Sequence, residues 1–309
     1  MKIAALILSV MCDAVALYFL LRLAAGKSLT ALIAEGYLYI TGYRRRFSKR
    51  KEYERYFAER SAENEKPFSL PEKFTPRAPL TAEACGEMPV YIFNGGKGDK
   101  RVFYLHGGAY LNRPQKMHWR FLDGLATRTG CEIVVPLYPL LPKHTGEETF
   151  SLVRDFYLDI TADGKETVLM GDSSGGGLAA AIAISGVPAP SKIILLSPWT
   201  DVSMSNPALT QYDHDPLCAL YGLKRLGRLW AKDCGVDDER VSPVNGDLSA
   251  LRNVTVFAGE RELIYPDIRR FCDRIPESEL IVGKNLHHVY PLYPTPEAKK
   301  ALKMIVDKF

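Results

Sequence analysis

The sequence predicts a protein of the α/β class, in which a mostly parallel β-sheet carries helices on both faces. Short apolar runs alternate with longer helical runs from residue 88 to the C-terminus, an order typical of strand–helix–strand units. One of these strands ends in a glycine-flanked turn that opens directly into a helix of small residues. The length of 309 residues and the hydrophobic content of 47% suit one such domain of roughly 220 residues with additional segments.

The alternation predicts the secondary structure of this part of the chain in order. The predicted strands are 88–94, 101–105, 131–135, 167–170, 192–196, 254–258 and 279–282. The predicted helices are 117–129, 149–161, 176–185, 266–274 and 296–308. Each run has the length and the apolar periodicity expected of a buried strand or of a helix that covers a sheet.

Charge and cysteine usage exclude several classes of protein. The net charge of +4 is too small to indicate a nucleic-acid partner, and no basic strip with interleaved aromatic residues appears. The six cysteines are scattered without a C-x-x-C pair, so neither a zinc site nor a disulfide framework is predicted, and reduced thiols are expected.

The first candidate reactive residue is Ser173, in the segment Gly171-Asp172-Ser173-Ser174-Gly175. An apolar run precedes this segment and a small-residue run follows it, so a strand, a tight turn and a helix are predicted in succession. Bulky side chains would not fit beside such a turn, which accounts for the glycines. This is the context of a nucleophile elbow, which lifts a serine hydroxyl above the edge of the sheet. We expect Asp172 to anchor the elbow through backbone hydrogen bonds and not to act in catalysis.

A second candidate element is the glycine pair that follows the strand at 101–105. Gly107 and Gly108 allow the backbone to approach a ligand closely and to turn its N–H groups toward it. Together with the N–H of Ser174, they are predicted to form an oxyanion hole for a tetrahedral intermediate. A simple turn at the end of a strand would use two glycines equally well, but the elbow about 65 residues later favours the oxyanion hole.

A serine nucleophile requires a base, which is usually a histidine oriented by a carboxylate. In hydrolases with a nucleophile elbow, the acid and then the histidine follow the serine along the chain. This order leaves His214, His287 and His288 as candidates. His214 lies in a segment that interrupts the alternation, whereas the other two follow the last predicted strand, where a catalytic base is expected.

Five segments together resemble the hormone-sensitive-lipase-like branch of the α/β-hydrolase family, and most closely its bacterial esterases. They are 106–110, 135–140, 171–177, 196–201 and 288–291, and the resemblance covers about 88–309. It implies the α/β-hydrolase fold and the hydrolysis of carboxylic esters by a serine nucleophile, with no metal and no cofactor. In that family the histidine before Val-Tyr-Pro is catalytic, which here is His288.

The acid is where the sequence departs from the family pattern. Family members usually carry an aspartate in a Gly-x-x-Asp-x-Leu run after the penultimate core strand, and here Glu262 stands at that position. Glutamate can also accept the imidazole N–H. Glu260 lies in the same turn and Asp267 is close by. Asp267 fits better as a first-turn residue of the following helix, so Glu262 is the preferred acid.

The segment near 202–243 is predicted to be a cap inserted into the hydrolase domain, which spans 76–309. It contains an amphipathic helix at 220–230 that would form a wall of the acyl pocket; a helix that only packs on the sheet is the alternative. The aromatic residues Tyr110, Trp199 and Tyr212 are predicted to bind the substrate. They suggest a bounded pocket for short to medium acyl chains.

Residues 1–75 are predicted to form an N-terminal apolar segment followed by a basic helical region. Residues 3–21 are almost wholly apolar and long enough to span a bilayer, although Asp13 disfavours insertion. A cleaved signal peptide or a cap helix over the active site are the alternatives. By the positive-inside rule, the arginines and lysines at 44–55 predict an enzyme on the cytoplasmic side; a solvated helix face is the alternative explanation of this cluster. We favour membrane association through 3–21.

The sequence therefore predicts a serine esterase that acts on a small-molecule ester through an acyl-enzyme, with Ser173, Glu262 and His288 as its triad. An amidase or formamidase-type hydrolase with the same triad is one alternative function. A non-catalytic binding module on a hydrolase scaffold is the other, although His288 argues against it. The oligomeric state, the natural ester and the acyl-length limit are left open.

Overall fold

The computed structural model describes residues 15–16, 20 and 26–309. Most of the predicted apolar segment 3–21, including Asp13, lies outside the described residues. In the described part of the chain, no helix has the length and apolar character needed to cross a membrane.

Eight strands form one sheet in the order β1-β2-β4-β3-β5-β6-β7-β8. The strands are β1 (Leu80–Cys85), β2 (Met88–Phe93), β3 (Lys100–Leu105), β4 (Glu132–Pro136), β5 (Glu166–Asp172), β6 (Lys192–Leu196), β7 (Val254–Gly259) and β8 (Glu279–Gly283). β2 runs antiparallel to β1 and to β4, and all other neighbouring pairs are parallel. The sheet is therefore mostly parallel, as predicted.

Ten helices are described along the chain. They are α1 (Leu29–Ile40), α2 (Arg45–Ser48), α3 (Arg50–Asn64), α4 (Lys116–Thr129), α5 (Gly146–Thr161), α6 (Ser173–Ala183), α7 (Leu209–Tyr212), α8 (Leu220–Trp230), α9 (Tyr265–Asp273) and α10 (Pro296–Val306). The connection from β3 to β4 moves across the sheet in one direction, and the connection from β4 to β5 moves in the other. Because such crossovers are right-handed, α4 and α5 lie on opposite faces of the sheet.

All seven predicted strands are present, and β1 is an additional strand. β1 was missed because it is an edge strand whose central residues are exposed, so it has no alternating apolar pattern. It is joined to β2 by a tight hairpin in which Gly86 has φ +58, a backbone conformation that favours glycine.

Because these strands are parallel, the loops that follow them begin at the same edge of the sheet. Leu105 at the end of β3 pairs with Gly171 in β5, and the last residues of β7 and β8 pair with each other. The segments that follow these strands hold the elbow, the glycine pair, the candidate acid and the candidate histidine. Residues far apart in the chain are therefore placed around one point.

The helices α1 to α3 and the segment with α7 and α8 cover this edge. The buried positions Leu223, Leu226 and Trp230 of α8 have the spacing of an amphipathic helix. α8 packs against α2, where a side chain at Gly222 would come within 2.7 Å of Phe47 Cβ. The amphipathic helix at 220–230 is thus present and packs on the N-terminal helices, whereas the domain boundaries at 75 and 76 remain a prediction.

Candidate active site

Ser173 lies at the junction of β5 and α6, where the backbone is tightly bent. Its φ of 51 is in the left-handed region that non-glycine residues rarely adopt. A Cβ at Gly171 would lie 2.5 Å from the carbonyl oxygen of Gly175, and one at Gly175 would lie 2.1 Å from the carbonyl oxygen of Leu105. The glycines are therefore required by the close approach of β3, β5 and α6. The strain is of the kind that concentrates at functional sites.

The loop after β8 places His288 beside this serine. The Nε2 atom of His288 lies 2.8 Å from Ser173 Oγ, and its Nδ1 atom lies 2.6 Å from Glu262 Oε2. The other carboxylate oxygen of Glu262 accepts a hydrogen bond of 3.0 Å from the N–H of Gly259. The structure thus brings together the serine, histidine and acid that the sequence nominates.

The alternative acid, Asp267, lies elsewhere. It is in the first turn of α9, and its Oδ1 accepts a hydrogen bond of 2.7 Å from Asn206 Nδ2. Its Oδ2 is buried and has no hydrogen-bond partner among the described residues. Burial raises the pKa of Asp267 to about 6. The geometry around His288 therefore favours Glu262 over Asp267.

The other two candidate histidines do not reach the serine. His287 directs its Nδ1 to the backbone oxygen of His288, 2.9 Å away, and its ring packs edge-on against Tyr293. His214 stacks beside Tyr212, and its backbone oxygen accepts a hydrogen bond from Tyr39. Only His288 of the three is therefore in position to take a proton from Ser173.

The electrostatic environment couples Glu262 and His288. Burial raises the pKa of Glu262, and its hydrogen bond with His288 opposes that effect. Burial lowers the pKa of His288, but its neighbours Cys218 and Glu262 outweigh burial and raise it well above its ordinary value. Because burial also raises the pKa of the Cys218 thiol, Cys218 is neutral near pH 7. The charge that stabilises the imidazolium is therefore that of Glu262.

This pairing determines which nitrogen of His288 can act as a base. An ionised carboxylate only accepts hydrogen bonds, so Glu262 holds the proton of neutral imidazole on Nδ1. The lone pair is then on Nε2, which faces the Ser173 hydroxyl. This tautomer is the one that general-base catalysis requires.

The glycine loop after β3 differs from the prediction in one respect. The N–H of Gly107 donates to Asp172 Oδ1 at 2.8 Å, and the same oxygen accepts a hydrogen bond of 2.5 Å from the Tyr104 hydroxyl. The predicted role of Gly107 as an oxyanion donor does not agree with this bond, because its only N–H is already used. The Asp172 carboxylate anchors the glycine loop to the elbow by accepting a backbone N–H, as expected.

Three backbone N–H groups near Ser173 have no protein acceptor among the described residues: those of Gly108, Ala109 and Ser174. Gly108 and Ala109 line the cavity at Ser173, and Ala109 has φ 55. Ser174 is in the first turn of α6, where N–H groups lack intrahelical partners. Sequence reasoning missed Ala109, although its place directly after the two glycines was the available signal.

A cavity of about 70 Å³ opens beside Ser173 and His288. Its apolar walls are contributed by Tyr43, Phe47, Met117, Leu217, Leu223 and Val289. Tyr43 lies in the connection between α1 and α2, Phe47 belongs to α2, and Leu223 belongs to α8. The segments above the sheet therefore form part of the pocket wall, and the pocket is small and mainly apolar.

None of the three aromatic residues predicted to bind substrate lines this cavity. Tyr110 is buried with its ring stacked on Trp230, at 3.9 Å between centroids, and it also stacks on Trp199. These rings are used to pack α8 onto the domain. Tyr212 instead lines a surface depression together with Tyr265. Sequence reasoning missed Tyr43 and Phe47, which lie about 130 residues before the serine and carry no local signal.

Among the described residues, no group of three or more histidine, cysteine, aspartate or glutamate side chains is arranged to hold a metal ion. The five cysteines in that part of the chain are free.

Comparisons with known proteins agree with this fold. A family model described as the alpha/beta hydrolase fold matches residues 102–292. An esterase from Acinetobacter venetianus is 28% identical over 221 residues, covering 67% of this chain and 73% of that protein.

Solved structures show the same architecture. A Staphylococcus aureus protein that is assigned as an esterase is 31% identical with a TM-score of 0.80, over 86% of this chain and 95% of that one. An esterase of the bacterial hormone-sensitive lipase family shares the fold at 23% identity, with a TM-score of 0.74 over 91% and 97% of the two chains. The chain therefore belongs to the α/β hydrolase family.

Proposed function

We propose that the protein is a serine carboxylesterase in which Ser173, His288 and Glu262 form the catalytic triad. The observation that carries this proposal is the continuous chain of contacts from the Ser173 hydroxyl through both nitrogens of His288 to Glu262. The relatives that are named esterases support the ester as the bond that is cleaved.

In the first half of the reaction, Ser173 Oγ attacks the ester carbonyl carbon while His288 Nε2 accepts the hydroxyl proton. Glu262 stabilises the resulting imidazolium. The carbonyl oxygen becomes an oxyanion, and the free N–H groups of Gly108, Ala109 and Ser174 donate to it. When the tetrahedral intermediate collapses, His288 returns the proton to the alcohol, which leaves, and the acyl group remains on Ser173.

In the second half, a water molecule takes the place of the alcohol. His288 Nε2 accepts a proton from the water as its oxygen attacks the acyl carbon, and the same N–H groups hold the second oxyanion. Collapse then releases the carboxylic acid and returns the proton to Ser173 Oγ.

The cavity supports a substrate with a short to medium acyl chain. The cavity is small, about 70 Å³, and its apolar walls favour a hydrocarbon chain. Phe47 and Leu223 are each about 95% buried at these walls, so a long chain would require them to move. Long-chain triglycerides are therefore expected to be poor substrates.

The proposal is tested with Ser173→Ala and a serine-directed fluorophosphonate probe. The variant should lose both covalent labelling and the hydrolysis of a soluble butyrate ester, while its circular dichroism spectrum stays that of the wild type. Ser174→Ala, which keeps the backbone N–H, should still be labelled. Labelling that survives in Ser173→Ala and disappears in Ser174→Ala would show that the wrong serine has been assigned.

A matched pair of ester and amide substrates with the same acyl group separates the proposal from an amidase. A higher kcat/KM on the amide would contradict the assignment as an esterase while leaving the triad in place. Absence of labelling and of turnover on both substrates in the wild type would favour a binding module.

A further inference from the structure

The N-terminal helix α3 is connected to the loop that carries the oxyanion donors. The hydroxyl of Tyr56 on α3 lies 2.5 Å from Asn112 Oδ1, and Asn112 Nδ2 lies 2.9 Å from the carbonyl oxygen of Gly108. Tyr56 and Asn112 are each 5% exposed. The first hydrogen bond is buried and joins residues separated by 56 positions in the chain, and the second is partly buried.

The Gly108 carbonyl oxygen, at which these hydrogen bonds end, determines which group donates in each of them. The Gly108 carbonyl oxygen can only accept, so the Asn112 side chain must present its NH₂ group to it. The amide oxygen of Asn112 then faces Tyr56, and the phenol has to be the donor. Burial raises the pKa of Tyr56, which keeps the phenol protonated and able to donate.

Holding the Gly108 carbonyl also orients the next N–H. The same carbonyl oxygen accepts the backbone N–H of Asn112 at 2.8 Å and that of Leu111 at 3.1 Å. Because a trans peptide is planar, its C=O and N–H point in opposite directions. A Gly108 carbonyl held on the Asn112 side therefore directs the Ala109 N–H to the other side of the peptide. Both residues of this peptide line the cavity that contains Ser173.

The hydrogen bonds from Tyr56 through Asn112 to Gly108 form a relay, and its end on α3 is held in place by further contacts. The Tyr56 ring packs edge-on against Phe47 with 5.2 Å between centroids. Asn64, the last residue of α3, donates to the carbonyl oxygen of Leu111 at 2.9 Å. The helix thus holds residues 111 and 112 at two points, and it can transmit its position to the Gly108–Ala109 peptide.

We propose that Tyr56 is a positioning residue for catalysis: through the Asn112 amide it fixes the peptide whose N–H, that of Ala109, stabilises the oxyanion. The inference rests on the proposed function, since it assigns a role within the oxyanion hole of that reaction. Tyr56 does not contact the reacting atoms. It makes the N-terminal helices part of the catalytic apparatus as well as a cover for the cavity.

Tyr56→Phe removes only the hydroxyl, and the same helix offers a matched control. Tyr53 is also on α3 and is 4% exposed, but its buried hydroxyl has no hydrogen-bond partner among the described residues. We expect Tyr56→Phe to lower kcat roughly tenfold, which is less than the 10²–10³-fold loss seen when an oxyanion donor is removed outright. KM should change less than about twofold, because the ground state does not use this contact. Tyr53→Phe should retain the wild-type kcat.

Two further measurements distinguish positioning from a purely structural effect. A trifluoromethyl ketone, which forms a tetrahedral adduct with the serine, should bind Tyr56→Phe more weakly by the same factor as kcat falls. Asn112→Ala should lower kcat to a similar or greater extent. Adding Tyr56→Phe to it should then have no further effect, because both side chains act through one contact.

Equal kcat values for Tyr56→Phe and Tyr53→Phe would overturn the relay. A change in Tyr56→Phe that is confined to KM or to the unfolding midpoint would overturn it as well. Additive losses in the double variant would also overturn it. Each of these results leaves wild-type ester hydrolysis and fluorophosphonate labelling in place, so the proposed function would stand. A wild type without either activity would instead refute the proposed function and the relay together.

Discussion

Replacement of Glu262 by glutamine tests the triad most directly, because the structure determines how the new amide must orient. One carboxylate oxygen faces His288 Nδ1 at 2.6 Å and the other accepts the N–H of Gly259 at 3.0 Å. The site is fully buried, with Glu262 0% exposed. In Glu262→Gln the amide oxygen has to face Gly259, since two N–H groups cannot satisfy each other. The NH₂ group is then directed at His288.

This orientation forces the wrong tautomer of His288. Facing an NH₂ donor, Nδ1 must become an acceptor, so the proton moves to Nε2 and the lone pair no longer faces Ser173. The opposite orientation of the amide would leave the Gly259 N–H buried and unsatisfied, at a cost of about 1–3 kcal/mol. The equivalent acid-to-amide change in a serine protease lowers kcat about 10⁴-fold. We expect a fall of about 10³–10⁴-fold here, which corresponds to roughly 4–5.5 kcal/mol in the activation free energy.

The pH profile gives a second readout with a defined sign. The neighbours Cys218 and Glu262 raise the pKa of His288, and the Glu262 carboxylate favours the charged imidazole, so wild-type activity should be lost as the pH falls through that raised value. Without the carboxylate, the acidic limb of kcat/KM should move to lower pH. The assay is hydrolysis of a soluble butyrate ester from pH 5 to 9. A variant with nearly wild-type kcat and an unmoved acidic limb would refute the assignment of Glu262.

Three further predictions address other parts of the molecule. Asp267→Asn should keep the wild-type kcat. Because burial raises the Asp267 pKa to about 6, the unfolding free energy of the wild type should fall by on the order of 1–3 kcal/mol relative to that of the variant as the pH rises from 4 to 7. Urea titrations check this, and parallel pH curves for the two proteins would contradict it. Leu223→Ala should raise kcat/KM for octanoate relative to butyrate esters. Leu226→Ala, which is also buried on α8 but does not line the cavity, should not; both variants should lose about 2–5 kcal/mol of stability. Deleting residues 1–25 should release the protein from a membrane pellet, and full-length protein in the supernatant without detergent would favour the cap-helix alternative.

The sequence by itself determined the places of seven strands along the chain and the place of the elbow. Apolar runs and their lengths are local properties, and the seven predicted strands lie within two residues of their observed ends. The glycines around Ser173 could be understood in the same way, because a tight turn excludes a Cβ wherever it occurs. The chain order of Ser173, Glu262 and His288, together with the family resemblance, nominated the residues that the structure places in contact.

Only the tertiary structure decided how the groups around that triad are used. The Gly107 N–H is taken by Asp172, 65 residues away, and Tyr110 and Trp199 serve the packing of α8 instead of the cavity. The cavity wall and the Tyr56 relay come from N-terminal helices that precede the sheet. Hydrogen bonds and ring contacts between distant segments depend on where those segments pack, so they cannot be predicted from periodicity or spacing along the chain.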